Sequence, residues 1–161
     1  MSEKLKKSLE NGPHKLLKSI EGNWKGITRV WFEPGKLADE SECRGTIRSV
    51  LNNMFALHEY SGSLEGKPIE GIAIYGCSLA DNTLQSAWID SFHNGTNIMF
   101  STNKNETSPF SVLASYGGEP AWGWRTKIEL ENPDRLIITM YNIAPGGSDE
   151  KAVEVIYDRI K

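Results

Sequence analysis

The residues whose types could do chemistry cluster in Trp88-Ile89-Asp90 and in the loop that follows this segment. Side chains on a strand alternate between its two faces, so Asp90 shares a face with Trp88. A carboxylate on the buried face of a strand must be solvated, hydrogen-bonded or paired. Asp90 would then anchor the polar end of a ligand or act as a general base with a raised pKa. The alternative is a structural carboxylate that bonds backbone amides beside the Asn94-Gly95 turn.

Imidazole chemistry is limited to two side chains, because only His58 and His93 lie beyond the predicted N-terminal helix. His58 and Glu59 point to opposite faces of a strand and do not converge on one ion. We therefore expect neither a metal site nor a cofactor. His93 is expected either as an exposed loop residue or as a partner of Asp90.

The charge balance disfavours nucleic acid as a partner. The 161 residues include 18 Lys and Arg against 21 Asp and Glu, which gives a formal net charge of −3. No stretch concentrates enough basic residues to follow a phosphate backbone. No apolar run has the length of a membrane span, and the N-terminus lacks an apolar signal core, so we expect no membrane partner and a cytoplasmic location. Cys43 and Cys77 lie far apart and are expected as reduced thiols.

The chain is predicted to be one domain preceded by a short extension. Residues 1–12 are polar and predict a flexible N-terminal arm, and residues 13–161 predict a single β-barrel domain. A short helix is expected to begin at Pro13, where the missing N–H of proline is tolerated, and to end near Gly22.

From Trp24 onward apolar and polar residues alternate, which is typical of half-buried strands. Turn signals such as Pro34-Gly35 separate about ten such segments without a helical crossover, so the strands are predicted to be antiparallel. Closure into a barrel removes the unpaired edges of so long a meander, and a two-sheet sandwich is the alternative. The predicted strands are 24–33, 42–50, 54–61, 69–77, 84–91, 96–102, 110–116, 121–130, 135–143 and 152–160.

The segment Gly22-Asn23-Trp24 resembles the opening signature of the lipocalin and calycin superfamily. The resemblance implies that Trp24 plugs one end of a barrel and packs against an arginine from the last strand. Arg159 has the matching position.

A longer resemblance covers His14 to Arg159 and is to an uncharacterised bacterial domain-of-unknown-function family, fifteen seventy-nine (DUF1579). It implies an all-β, antiparallel, calycin-like (lipocalin-like) barrel with a short N-terminal helix. That family has no established activity to transfer, so the resemblance informs the fold alone. The segments that carry it are Gly22-Asn23-Trp24-Lys25-Gly26, Glu33-Pro34-Gly35, Trp88-Ile89-Asp90-Ser91, Thr139-Met140-Tyr141 and Glu154-Val155-Ile156-Tyr157-Asp158-Arg159.

The leading functional hypothesis is that the barrel binds a small hydrophobic or amphipathic molecule in its interior. The predicted ligand-binding residues are Arg48, His58, Trp88, Asp90, Tyr116, Trp124 and Met140. The residues predicted to point inward, if Trp24 and Phe32 do so, are Trp88, Asp90, Phe100, Tyr116, Trp122, Trp124 and Met140.

Two alternatives remain open at this stage. One is an isomerase or lyase that transfers a proton on such a molecule, using Asp90, His93, Tyr116 or Tyr141 as acid or base. The other is a filled barrel that serves as an interaction module, with Trp31 and other outward apolar residues in a homodimer interface. A cavity favours binding or catalysis, and a packed interior favours association.

Overall fold

The computed structural model describes residues 1–106 and 109–161, so the predicted polar connection at 103–108 lies partly outside the described residues. Two helices precede ten strands. The helices are α1 (Glu3–Asn11) and α2 (Pro13–Ser19). The strands are β1 (Gly22–Glu33), β2 (Lys36–Val50), β3 (Phe55–Leu64), β4 (Lys67–Ser78), β5 (Thr83–Asp90), β6 (Met99–Lys104), β7 (Phe110–Tyr116), β8 (Trp122–Asn132), β9 (Arg135–Ile143) and β10 (Asp149–Arg159).

The strands form one closed antiparallel barrel in which each strand pairs with its neighbours in the chain and β10 returns to pair with β1. Closure pairs the first strand with the last, so the sheet has no unpaired edge. An open meander of this length would expose two such edges. The predicted calycin-like barrel is confirmed, and the two-sheet sandwich is wrong.

Gly26 permits the closure between β1 and β10. A Cβ atom at this position would lie 1.8 Å from the carbonyl oxygen of Ile156. Only glycine lets the two backbones approach so closely. The glycine therefore belongs to the closing seam of the barrel, where Gly26 is paired with Tyr157.

Trp24 closes the end of the barrel that faces the helices. Its indole Nε1 donates a hydrogen bond to the carbonyl of Ile20 at 3.0 Å. The guanidinium of Arg159 lies 4.2 Å from the centre of a Trp24 ring and also donates to the carbonyls of Ser19 and Glu21. The tryptophan and the arginine thus connect the end of α2 to the first and last strands, as the superfamily resemblance implies.

The expected flexible arm is instead a helix. α1 begins after Ser2, whose side chain accepts a hydrogen bond from the amide of Leu5. Leu5 and Ser8 are buried, and the Ser8 hydroxyl lies 2.7 Å from Nδ1 of His14 in α2. The prediction failed because a single leucine and a serine are the only buried residues of α1, which gives a weak helical pattern in the sequence. Packing against α2 stabilises the helix despite this weak pattern.

The two ends of the barrel differ. α2 packs against β3 and β4 at the end where β1 begins. Because the strands alternate in direction, β5 begins at this helical end and finishes at Asp90 at the opposite end, which we call the mouth. The loop after Asp90 therefore lies across the mouth.

Candidate functional site

The register of β5 places Trp88 and Asp90 inside the barrel. Their exposed fractions are 4% and 7%, whereas the intervening Ile89 is 41% exposed. The sequence predicted this register because the face with tryptophan carries the larger apolar area. Because Asp90 lies on the same face as Trp88, burial of the tryptophan also buries the Asp90 carboxylate.

Asp90 is fully engaged by the loop that follows it. Its Oδ1 accepts the backbone N–H groups of Phe92 (3.1 Å), His93 (2.5 Å) and Asn94 (3.2 Å). Its Oδ2 lies 2.5 Å from Nδ1 of His93. Since a carboxylate only accepts hydrogen bonds, the ring proton of a neutral His93 is held on Nδ1. Nε2 is left as the ring nitrogen that can act on a ligand.

Of the two roles predicted for Asp90, the structure has the carboxylate that bonds local backbone amides. Burial alone would raise the pKa of Asp90, but the hydrogen bond and charge of His93 and the backbone amides of His93 and Phe92 together lower it. The expected base with a raised pKa is therefore wrong for Asp90 itself. The geometry makes His93 the proton acceptor and Asp90 the group that orients it.

Aromatic rings form the wall behind this pair. Trp88 stacks on Trp124, with ring centres 5.6 Å apart, and the His93 ring lies 5.5 Å from Trp88 and 5.7 Å from Trp124. The indole Nε1 of Trp88 donates to the hydroxyl of Tyr60 at 2.9 Å. The buried Nε1 of Trp124 has no hydrogen-bond partner in the described part of the chain. Tyr116 lies further out, half-buried, and bonds the side chain of Asn142.

His58 lies at the centre of a ring of three tyrosines. Its ring centre is 5.1 Å from that of Tyr60, 6.3 Å from Tyr75 and 5.8 Å from Tyr157. Nε2 lies 3.2 Å from the hydroxyl of Tyr157, while the buried Nδ1 has no partner among residues 1–106 and 109–161. Burial lowers the pKa of His58 to about 4, so the ring is neutral at pH 7.

These groups surround an internal cavity of ≈ 40 Å³ between the mouth and the middle of the barrel. A volume of this size holds about three or four water-sized groups. The barrel is thus largely filled by side chains but keeps a small space. Its lining includes His58, Tyr60, Tyr75, Trp88, Met140 and Tyr157, with Asp90 and His93 towards the mouth.

The structure brings together four of the predicted ligand-binding residues, namely His58, Trp88, Asp90 and Met140, around this cavity. Sequence reasoning missed Tyr60, Tyr75 and Tyr157 as site residues. The spacing of His58 and Tyr60 on β3 contained the signal, because residues two apart share a face.

Arg48 is not part of the site. It is exposed on the outer wall, where its Nε lies 3.8 Å from Oε2 of Glu59. The buried residue at this level of β2 is Ile47, so the strand directs Arg48 away from the interior. Arg48 therefore does not line the internal cavity as predicted.

Three aromatic residues predicted to point inward are exposed instead: Phe32, Phe100 and Trp122. Phe100 pairs with Ala87 on β5, and paired residues share a face, so Phe100 lies outside with an exposed fraction of 69%. Phe32 follows a register shift at Val30/Trp31 and packs near Phe92 at the rim. Trp122 begins β8 at the mouth, above the buried Trp124.

The outer wall carries an apolar face on β4, β5, the segment before β6 and β6 itself. Its exposed members are Ile72, Ile74, Ile89, Ile98 and Phe100. A wide groove of ≈ 570 Å³ runs beside them. This groove is more open to solvent than the internal cavity, and Tyr60 and Asp90 contribute to the lining of both spaces.

No group of three or more His, Cys, Asp or Glu side chains is arranged to hold a metal ion in residues 1–106 and 109–161. Over the same residues, the helices are too short or too polar to cross a bilayer. Cys43 and Cys77 are free and buried.

Comparison with protein families gives a match to the family described as "Protein of unknown function (DUF1579)", over residues 10–159. The chain belongs to this family. The DUF1579 match covers the N-terminal helix α2 and the whole barrel, including every residue that lines the cavity. Among curated proteins none matches the chain.

Solved structures show the same fold with little sequence identity. The crystal structure of Rv2717c from M. tuberculosis matches with a TM-score of 0.61 and 12% identity, covering 91% of this chain and 96% of the other. The S-type phycobiliprotein lyase CPES from Guillardia theta matches with a TM-score of 0.53 and 11% identity, covering 91% of this chain and 92% of the other. The DUF1579 barrel therefore resembles a lyase barrel in architecture, and this likeness concerns the fold alone.

Proposed function

We propose that the protein binds a small amphipathic molecule in the internal cavity. Trp88 and Met140 supply apolar contacts, and His58 and the Asp90–His93 pair supply polar ones. The buried part of the ligand matches about three or four water-sized groups, so a longer molecule would extend through the mouth.

The observation that carries this proposal is the presence of a few polar side chains in the mostly apolar lining of the internal cavity. The buried Nδ1 of His58 has no partner in the described part of the chain. Leaving such a group unpaired costs about 1 to 3 kcal/mol of folding stability. A barrel that served only as a filled scaffold would be more stable with an apolar residue here. A ligand that bonds this ring offsets the cost, which supports binding over a purely structural interior.

Filling the cavity is expected to abolish binding of a small amphipathic probe. In Val155→Phe the larger ring enters the space, because Val155 lines the cavity. The probe is 2-propanol, followed by NMR through the indole N–H signals of Trp88 and Trp124. A molecule this small contributes at most about 1.5 kcal/mol per heavy atom, so we expect saturable shifts with dissociation constants from the millimolar range down to roughly tens of micromolar.

The matched control places the same phenylalanine outside the barrel. Ile74→Phe changes a residue of β4 that is exposed on the outer wall. It should retain 2-propanol binding within about twofold, whereas Val155→Phe should show none while keeping the wild-type circular dichroism spectrum. Linear, non-saturating shifts in the wild-type protein would contradict the proposal.

The Asp90–His93 pair favours a second function, which is proton transfer on the bound molecule. Asp90 holds the proton of neutral His93 on Nδ1, as its 2.5 Å contact requires. Nε2 can then take a proton from a carbon next to a carbonyl, which leaves the electron pair on the ligand as an enolate. Return of a proton from Nε2 restores the carbonyl compound.

This second function is tested with acetone in D₂O, where proton transfer exchanges methyl hydrogen for deuterium. The protein is expected to accelerate the exchange, and His93→Gln should lower the protein-dependent rate by about 100-fold or more. Arg48→Gln, on the outer wall, should leave that rate unchanged. Equal rates for wild type and His93→Gln would rule out His93 as the base and leave the protein as a binder.

A further inference from the structure

Resting on the proposed binding function, we infer that the ligand presents an uncharged hydrogen-bond acceptor of the carbonyl class to the cavity. The inference comes from three features of the lining: donor protons without acceptors, the proton position on His58, and the absence of lysine and arginine among the described lining residues.

Tyrosine hydroxyls supply the donor protons. Burial raises the pKa of Tyr60, Tyr75 and Tyr157, so all three stay protonated at physiological pH. The Tyr60 oxygen already accepts the indole N–H of Trp88, which leaves its own proton to donate. Tyr75 also lines the cavity with only 2% of the residue exposed, and burial alone raises its pKa, with no hydrogen bond contributing within residues 1–106 and 109–161.

The His58 ring adds a further donor. Within the described residues, the Tyr157 hydroxyl finds its acceptor at Nε2 of His58, 3.2 Å away. A buried hydroxyl donates where an acceptor exists, so Nε2 accepts from Tyr157. The proton of the neutral ring then lies on Nδ1, which is the buried nitrogen without a partner. His58, Tyr60 and Tyr75, which all line the cavity, therefore carry donor protons for which the described residues supply no acceptor.

Charge excludes the two ionic alternatives. No Lys or Arg lines the cavity in the described part of the chain, so a carboxylate would be buried without a countercharge and close to Asp90. An ammonium group would need a free carboxylate. The oxygens of Asp90 are already occupied by three backbone amides and by His93. A neutral acceptor avoids the cost of burying an uncompensated negative or positive charge.

The test compares probes of equal size on the full chain, by the same NMR titration. Acetone is the neutral acceptor, acetate the anion, isopropylammonium the cation, and 2-methylpropene the isostere of acetone without an acceptor. Acetone is expected to bind about tenfold or more tightly than either ion, since each uncompensated buried charge costs at least about one factor of ten in affinity.

The Tyr75→Phe variant tests the contribution of one donor, the Tyr75 hydroxyl. Because no hydrogen bond from the described residues contributes to the pKa shift of Tyr75, removal of its hydroxyl should leave the fold intact. The variant is expected to weaken acetone about fivefold and to change 2-methylpropene by less than about twofold. Unchanged acetone affinity in Tyr75→Phe, or an ion that binds as tightly as acetone, overturns the inference. Binding of 2-methylpropene without acetone overturns the inference but leaves the binding function standing, whereas no saturable binding by any probe overturns both.

Discussion

Replacing Trp24 by alanine is expected to destabilise the protein by about 3 to 5 kcal/mol, the cost of removing a fully buried aromatic side chain. The change removes the apolar plug, the hydrogen bond to the carbonyl of Ile20 and the surface on which Arg159 packs. Equilibrium unfolding in urea, followed by far-ultraviolet circular dichroism, measures the free energy of unfolding without depending on the deleted fluorophore.

Phe100→Ala is the matched control, because Phe100 is an aromatic residue of the same barrel with 69% of its surface exposed. Its truncation should change the free energy of unfolding by less than about 0.5 kcal/mol. A loss below about 1 kcal/mol in Trp24→Ala would mean that the helical end of the barrel does not depend on this plug.

Acidification from pH 7 to pH 4 is expected to remove about 3 kcal/mol of stability through His58 alone. Burial lowers the pKa of His58 to about 4 in the folded state, and an unfolded histidine titrates near 6.5. Between these values the unfolded state binds more protons, so stability is complete above pH ~6.5 and falls as the pH approaches 4. Each unit of pKa difference contributes about 1.4 kcal/mol.

His58→Phe removes this titration. The variant loses the partner of the Tyr157 hydroxyl at every pH, so the quantity to compare is the slope of unfolding free energy against pH and not its absolute value. A smaller slope should remain, because burial also lowers the pKa of His14. Equal slopes for wild type and variant between pH 6.5 and 4 would show that His58 is solvated or charged in the folded protein.

The architecture was predictable because every level of the sequence agrees with it. Alternating polarity, short turns and the absence of helical crossovers all favour an antiparallel meander, and closure follows from its length. The β5 register was predictable for the same reason: Trp88 outweighs Ile89 in apolar area, and this is enough to bury Asp90.

The wrong predictions concern side chains whose inward or outward orientation depends on pairing with the neighbouring strand. Phe100 is large and apolar, yet its pairing with Ala87 places it outside. Arg48 was predicted to bind a ligand inside the barrel, but Ile47 takes the inward position on β2. Neither outcome is encoded in the residue itself, because cross-strand register decides the face.

The cavity was beyond sequence reasoning because its size depends on side-chain packing. Whether His58 is enclosed or solvated depends on three tyrosines that come from β3, β4 and β10. The backbone amides that saturate Asp90 likewise depend on the path of the loop after β5. The local contacts of this loop change the interpretation of Asp90 from a base to the residue that orients His93.

The location of a bound probe tests the binding function most directly. Isotope-filtered NOE spectra of the protein with 2-propanol should show contacts from the probe methyl groups to the Met140 methyl and the Trp88 ring, which line the cavity. The same contacts should be lost in Val155→Phe. Contacts confined to the outer apolar face, at Ile98 and Phe100, or saturable shifts without contacts to Met140 and Trp88, would contradict a binding site inside the barrel.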